Sequence, residues 1–330
     1  MWNFSLLCKG NFSRRFSSWI KTSPKSTPTT SVDPEALFLD IRVQTLLKKL
    51  TGLSAAKVFR LRQHDGKPER PSYRLMTREE FDEIQQKVAE RAKERLQMPP
   101  FKNPREEESQ LIASDPEIAG GDTAKMVFFD ISPGLNPRDR LALVRETDGR
   151  LRTGTGAERD RLYRTYFPSP HRPVVEPPVF SGPPLTDALN EGKHEFVLDF
   201  ACWYFEPDDP KYVTVCSTVY DHLDSTGRHD ALWSTRHYGP LVFYLVINRQ
   251  VDNLLVSLLN QRKLAESADV VRLYRLCNQG CKTDDAKSDL DLVKNFVISD
   301  SMDRNRLENV VQAFEEASRT EDTALGMKSS

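Results

Sequence analysis

The chain has 330 residues, of which 38% are apolar and 29% are charged, enough for one large domain or two ordinary domains with hydrophobic cores. Its longest uninterrupted apolar run, residues 241–247, is far shorter than the roughly 20 residues that cross a bilayer, which excludes a membrane-spanning protein. Five cysteines without a framework spacing exclude a disulfide-rich secreted module. The formal net charge of −1 provides no overall positive field, so any contact with nucleic acid must be local.

Residues 1–32 have the composition of a mitochondrial presequence. They contain no acidic residue, five positive charges and many Ser and Thr residues, and their apolar residues can form one helical face. The string RRFS at 14–17 resembles a matrix-peptidase cleavage site. A disordered basic tail is the alternative interpretation. Removal of the segment takes five of 47 Lys and Arg residues and leaves 42 positive against 48 negative charges, a net charge of −6.

Two helices joined by a basic loop are predicted for residues 33–97. Asp33 followed by Pro34 is a typical helix start, and Gly52 fits a left-handed cap at the helix end. The apolar stripe of this first helix consists of Leu37, Ile41, Leu47 and Leu50. Residues 57–74 form the loop, which Gly and Pro keep irregular and exposed.

The second helix of this region begins after Thr77. Thr77 and Glu80 have the spacing of a capping box, and Pro99-Pro100 ends the helical pattern. The opposite face is strongly charged, so we expect a solvated helix with one side docked. The apolar stripe on the docked side consists of Phe81, Ile84, Val88, Ala92 and Leu96.

A small β-sheet is predicted in the middle of the chain. Residues 98–124 are acidic and contain several prolines, which indicates a linker. Residues 125–167 follow as a small β-hairpin plus a helix, because Asp148-Gly149 separates two extended segments and Gly accepts the positive φ of a hairpin turn.

The remainder of the chain is predicted to be a connector followed by helices. Residues 168–192 form a Pro-rich connector, residues 193–318 a helical domain and residues 319–330 a tail. Short connections between consecutive helices imply antiparallel, repeat-like neighbours, although no clean self-similar period is present. The predicted fold class is therefore mainly α with a small β-sheet (α+β).

No pattern in the sequence predicts catalysis. There is no phosphate-binding glycine loop, no nucleophile motif and no zinc-ligand spacing around the six His residues. Cys277 and Cys281 are separated by one helical turn and would need ligands from elsewhere to hold a metal, so reduced cysteines near a helix end are the favoured interpretation. We expect no catalytic residue, no metal and no cofactor.

Two basic segments are candidates for contact with RNA, because the planar arginine side chain pairs with phosphate and stacks on bases. The alternative is an ordinary solvated face with internal salt bridges, especially at residues 158–161. The first segment supplies Lys57, Arg60, Arg62, Lys67, Arg70 and Arg74. The second supplies Arg150, Arg152, Arg159, Arg161 and Arg164.

Several strings in the sequence resemble a known family. In chain order they are LTGL at 50–53, YRLMT at 73–77, RLQMPP at 95–100, VFFDIS at 127–132, VRETDGRLR at 144–152, ERDR at 158–161, YFP at 166–168, FEPD at 205–208 and STRHYG at 234–239. They resemble the mitochondrion-specific small-subunit ribosomal protein family numbered twenty-two. The resemblance spans about residues 35–275 and fades beyond residue 280.

The resemblance implies a structural constituent of the mitochondrial small ribosomal subunit that is not an enzyme. The implied partners are small-subunit rRNA and other mitochondrial small-subunit ribosomal proteins, with no membrane and no homo-oligomer, and the implied location is the mitochondrial matrix. A soluble helical-repeat adaptor of the matrix, which regulates mitochondrial gene expression without being a ribosomal subunit, is the alternative.

Overall fold

The structure is a computed structural model, and helices account for most of the residues that it describes. It describes residues 33–54, 57, 75–93, 96–103, 109–119, 123–136, 139–169, 172–284 and 286–326. The expected presequence and most of the basic loop lie outside the described residues.

The described elements confirm the predicted fold class, mainly α with a small sheet. The helices are α1 (Pro34–Leu39), α2 (Ile41–Thr51), α3 (Arg78–Lys93), α4 (Gly156–Tyr166), α5 (Gly182–Asn190), α6 (His194–Tyr204), α7 (Pro210–Thr226), α8 (Tyr238–Ile247), α9 (Asp252–Asn260), α10 (Leu264–Cys277), α11 (Asp289–Ser299) and α12 (Arg304–Gly326). The strands are β1 (Leu111–Ser114), β2 (Met126–Phe129), β3 (Ala142–Arg145) and β4 (Arg150–Thr153). Short 3-10 turns occupy Pro116–Ile118, Pro178–Phe180 and His229–Leu232.

The first predicted helix is two helices, because the chain is extended at Asp40. The Asp40 carboxylate accepts a hydrogen bond from Arg42 N at 2.8 Å and so starts α2 afresh. The buried face of α2 therefore does not continue the stripe predicted for a single helix. Ile41, expected in that stripe, is 82% exposed. The prediction for Ile41 was therefore wrong, while Leu47 and Leu50 are fully buried as expected.

Gly52 ends α2 in a different way from the predicted left-handed cap. Its φ is +61° but its ψ is −173°, outside the left-handed helical region. A Cβ at this position would lie 2.8 Å from the indole ring of Trp233. Glycine is required here by the positive φ and by the close approach of Trp233.

Helix α3 starts at the predicted capping box. Thr77 N donates to Glu80 Oε2 at 3.2 Å, and Glu80 N donates to Thr77 Oγ1 at 3.3 Å. The expected docked face is not buried at Phe81, which is 45% exposed, and is half-buried at Ile84. Periodicity shows that a helix has a face able to be buried, and it carries no information on whether the same chain covers that face.

The four strands form one antiparallel sheet in the order β1-β4-β3-β2. The predicted hairpin is confirmed: β3 and β4 are joined by a turn in which Gly149 has a φ of +83°, and a Cβ there would overlap the Asp115 carbonyl oxygen. Strand β1 lies inside the segment that we expected to be a linker. Its apolar run, Leu111-Ile112-Ala113, is too short to stand out among the surrounding acids and prolines.

The hydrophobic core lies among the helices that follow the sheet, together with α2. Every residue of α8 is buried, and α2 packs against both α8 and α10. Helix α5 begins at Gly182, within the expected connector, because Pro183 and Pro184 occupy its first turn, where a missing N–H costs nothing. Consecutive helices α9, α10, α11 and α12 pack in sequence order.

Four helix ends repeat one geometry. After α5, α7, α8 and α9 the chain passes through a residue with positive φ, namely Gly192, Gly227, Arg249 and Arg262. In each case the next residue donates its N–H to a carbonyl five positions earlier, at 3.0, 3.1, 2.8 and 3.0 Å. These are Schellman motifs, and they give the helical region a repeat-like construction at the level of its turns.

Candidate nucleic-acid interface

The basic loop begins at Lys57, whose ammonium is bound to the protein. Lys57 Nζ donates to the backbone carbonyl oxygens of Ala231 at 3.0 Å and Trp233 at 2.6 Å. Just before it, Ser54 N donates to Ser234 Oγ at 2.7 Å. These bonds fix the start of the loop to the 3-10 turn before α8. The other five basic residues of the loop, Arg60, Arg62, Lys67, Arg70 and Arg74, lie outside the described residues.

Arg152 of the second segment is committed to two carboxylates. Its guanidinium donates two parallel bonds to Glu158, each 2.8 Å long, and a third to Glu146 at 3.0 Å. The Arg152 side chain is only 18% exposed. The bidentate contact with Arg152 lowers the pKa of Glu158 to about 2. Arg152 therefore ties strand β4 to the first turn of α4 and presents little charge to a partner.

Arg164 is also held inside the protein. Its Nη2 is 2.9 Å from Asp160 Oδ2, its guanidinium lies over the ring of Tyr204 with 4.8 Å to the centroid, and its side chain is 14% exposed. Arg172, which sequence analysis did not single out, reaches the same carboxylate at 2.7 Å and donates to the Tyr204 carbonyl oxygen at 3.2 Å. This network joins α4 to the end of α6.

Two of the remaining three arginines of the second segment are exposed, and the third is half-buried. Arg150 is exposed, with its Nε 2.5 Å from Asp148 Oδ2 in the hairpin turn. Arg159 is half-buried, and Arg161 is exposed on the surface of α4. An exposed ion pair such as Arg150 with Asp148 is weak and can be exchanged for a phosphate contact.

Arg140 is a structural arginine that composition could not reveal. It is 5% exposed and donates to the carbonyl oxygens of Asp130, Ser132 and Leu135 at 3.0, 2.8 and 3.1 Å. Its guanidinium also lies 4.2 Å from the centroid of the Phe167 ring. Arg140 thus closes the loop between β2 and β3 and attaches it to the end of α4. A surface arginine and a buried one have the same signature in a sequence.

The cysteines form no reactive or metal-binding group in the described part of the chain. Burial raises the pKa of the Cys277 thiol to about 12, and Cys281 Sγ donates to Asp300 Oδ2 at 3.1 Å. Among the described residues, no group of three or more His, Cys, Asp or Glu side chains is arranged to hold a metal ion. No helix in these same residues is long and apolar enough to cross a membrane.

Comparisons with known proteins show the family to which the sequence is similar. A family model described as mitochondrial 28S ribosomal protein S22 matches residues 36–279. The small ribosomal subunit protein mS22 of Bos taurus is 34% identical over 285 residues, which cover 85% of this chain and 79% of the relative. The mS22 protein of Mus musculus is 34% identical over 284 residues, covering 84% and 79%. The family match extends from α1 to the end of α10 and includes the whole sheet.

Proposed function

Because the chain belongs to the mitochondrial 28S ribosomal protein S22 family, we propose that it works in the mitochondrial matrix as a structural constituent of the small ribosomal subunit. The family match over residues 36–279 is the observation that carries this proposal. The chain is a structural protein and not an enzyme, and its partners are small-subunit rRNA and other ribosomal proteins.

Contact with rRNA is assigned to basic residues of both segments. The backbone contacts of Lys57 and the capping box at Thr77 lie at the two ends of the first segment. In the second segment the proposal favours the exposed Arg150 and Arg161, together with the half-buried Arg159. The proposed contacts are Arg60, Arg62, Lys67, Arg70 and Arg74, with Arg150, Arg159 and Arg161.

Stability of association at high salt tests the ribosomal role. The full-length chain, tagged at its carboxyl end, is expressed in mitochondria, and lysates are sedimented at low and at high salt. We expect the chain to remain with the small subunit in stoichiometric amount at both, because buried interfaces resist screening. Release at high salt, with the subunit otherwise intact, would instead favour the matrix adaptor that regulates gene expression.

Location in the matrix is tested separately. Protease is added to intact mitochondria, to mitochondria with a ruptured outer membrane and to detergent lysates. We expect the chain to be digested only in detergent. The N-terminus of the recovered protein is expected to start between residues 17 and 32, since the composition of residues 1–32 is that of a presequence. An intact Met1 would contradict the proposed removal.

A further inference from the structure

Strand β2 lies at one edge of the described sheet. It is the last strand in the sheet order, and within the described residues it pairs only with β3. Just after β2, Asp130 N donates to the Leu141 carbonyl oxygen at 3.0 Å. Because an antiparallel ladder alternates, the N–H of Phe128 also faces β3, and the N–H and C=O groups of Val127 and Phe129 face outward. These outward groups are a template for another strand.

The side chains of β2 are apolar on both faces of the sheet. Val127 and Phe129 lie on the side of α4, where Phe129 stacks on Tyr166 with 5.7 Å between ring centroids. Met126 and Phe128 lie on the other side. The exposed fractions of Met126, Val127 and Phe128 are 42%, 44% and 51%. A run of this kind is typical of a strand in the interior of a sheet and is unusual at a free edge.

The charged residues near β2 do not form a positively charged site for phosphate. Lys125, before the strand, forms an ion pair with Glu146 at 3.1 Å. Asp130, after it, is half-buried, and hydrogen bonds from Ser132 lower the pKa of its carboxyl group. Arg145 Nη2 lies 3.2 Å from Met126 Sδ, so its charge sits between the hairpin and the strand. Opposite charges therefore balance along this edge, and the apolar run with its backbone groups is what a partner would recognise.

We propose that the open edge of β2 accepts an extended segment from a neighbouring small-subunit protein, which adds a fifth strand next to β2. This inference rests on the proposed function, because the partner is a ribosomal protein. The added strand carries apolar side chains at consecutive positions, since β2 offers apolar contacts on both faces. Backbone hydrogen bonds supply affinity, and the side chains flanking Val127 and Phe129 supply selectivity.

Hydrogen exchange of the full-length protein tests the proposal directly. The backbone amides of residues 126–130 are compared in the free protein, at low and high concentration, and in the intact small subunit. We expect the amides of Val127 and Phe129 to exchange about tenfold or more slowly only in the subunit, because new hydrogen bonds protect them. Unchanged exchange on assembly would overturn the proposal.

Variants at one residue separate strand pairing from general apolar contact. Val127→Pro removes an outward-facing N–H but no bond to β3, whereas Val127→Thr keeps both the N–H and the β-branched shape. We expect about tenfold lower incorporation of the proline variant into the subunit and a clearly smaller loss for the threonine variant, which keeps the backbone donor. Val127→Lys keeps the N–H and adds a charge among the apolar contacts, so it is an independent test that does not depend on proline leaving the sheet intact, and about the same loss of incorporation is expected.

Each remaining outcome has a definite meaning. Normal incorporation of both the proline and the lysine variants overturns strand addition. Protection of these amides that rises with the concentration of the free protein indicates that a second copy of this chain binds the edge. Ultraviolet cross-links from residues 126–130 to rRNA indicate that RNA binds it. Either result also overturns the proposed strand addition. Loss of wild-type co-sedimentation at high salt would instead contradict the proposed function, so the two failures are distinguishable.

Discussion

The contact between Arg152 and Glu158 shows how one residue pair connects two elements. The carboxylate of Glu158 accepts both arms of Arg152 and also the N–H of Thr155 at 2.9 Å, which completes the capping box of α4. The same side chain therefore fixes the helix start and attaches it to β4. Such a pair stabilises the fold only while Glu158 is ionised.

The pH dependence of stability follows from this pair. The pKa of Glu158 is about 2 in the folded protein, below its ordinary value of 4.5, so its contribution is complete above about pH 4.5 and is lost as the pH falls toward 2. We expect Glu158→Gln to lower stability at neutral pH and to flatten the decline over that acid range, measured by urea unfolding at a series of pH values. Glu117→Gln, at an exposed residue of the 3-10 turn, is the control. A decline of wild-type steepness in Glu158→Gln would contradict the assignment.

Arg249 provides a second prediction at a single residue. Its φ is +57°, a conformation that costs a non-glycine residue about 1 kcal/mol. Arg249→Gly should therefore raise the free energy of unfolding by up to about 1 kcal/mol. Arg249→Ala removes the same side chain but keeps the unfavourable conformation, so no such gain is expected. Thermal or urea unfolding of both variants measures the difference, and equal stability of the two would show that the backbone conformation is not the cause.

Helix α2 is one of the elements that join the N-terminal region to the helical core, and it packs against α8 and α10. Leu47, on α2, is fully buried. Leu47→Ala should cost about 2–5 kcal/mol, because it removes apolar contacts and leaves a cavity. Leu39, at the end of α1, is 64% exposed, and Leu39→Ala is expected to change stability by less than about 0.5 kcal/mol. Similar losses from the two substitutions, measured by urea unfolding, would contradict this packing.

The elements that sequence could predict are those whose signal is local. The caps at Asp33 and Thr77 are confirmed by hydrogen bonds, and the Asp148-Gly149 turn is where the hairpin was expected. Strand β1 was missed because its partner β4 is about 40 residues away, and no local pattern encodes that pairing. The same holds for the packing of α2 on α8, which depends on a long-range contact.

The same distinction between local signals and long-range contacts applies to the candidate RNA site. Sequence reasoning identified the second basic segment, from Arg150 to Arg164, but could not tell which of its arginines are held inside the protein. Arg152 meets Glu158 because folding brings β4 to the first turn of α4. Arg164 has its carboxylate partner Asp160 one turn away in the same helix, and only its contact with Tyr204 depends on α6 being brought to α4. The alternation of charges at 158–161 was compatible with internal salt bridges, and the structure uses Glu158 and Asp160 in this way.

At the scale of the whole molecule, charge determines how rRNA can be bound. A net charge of −1 for the full chain, or −6 after the predicted removal of residues 1–32, gives no long-range attraction to phosphate. Contact with rRNA must therefore come from a few local cations that displace condensed counterions. The slope of log affinity against log salt therefore measures how many of those cations contact phosphate.

The basic loop supplies the test of that count. Replacing Arg60, Arg62, Arg70 and Arg74 with Gln should weaken binding of the full-length chain to small-subunit rRNA, and the slope of log affinity against log salt should become shallower by about 0.7–0.9 for each phosphate that is no longer neutralised. Lys57→Gln is the matched control: its ammonium is bound to backbone carbonyls, so the substitution should lower stability and leave the slope unchanged. Helical content, measured by circular dichroism, is expected to stay constant in the four-residue variant. A wild-type slope in that variant would show that the loop is only a solvated connection between α2 and α3.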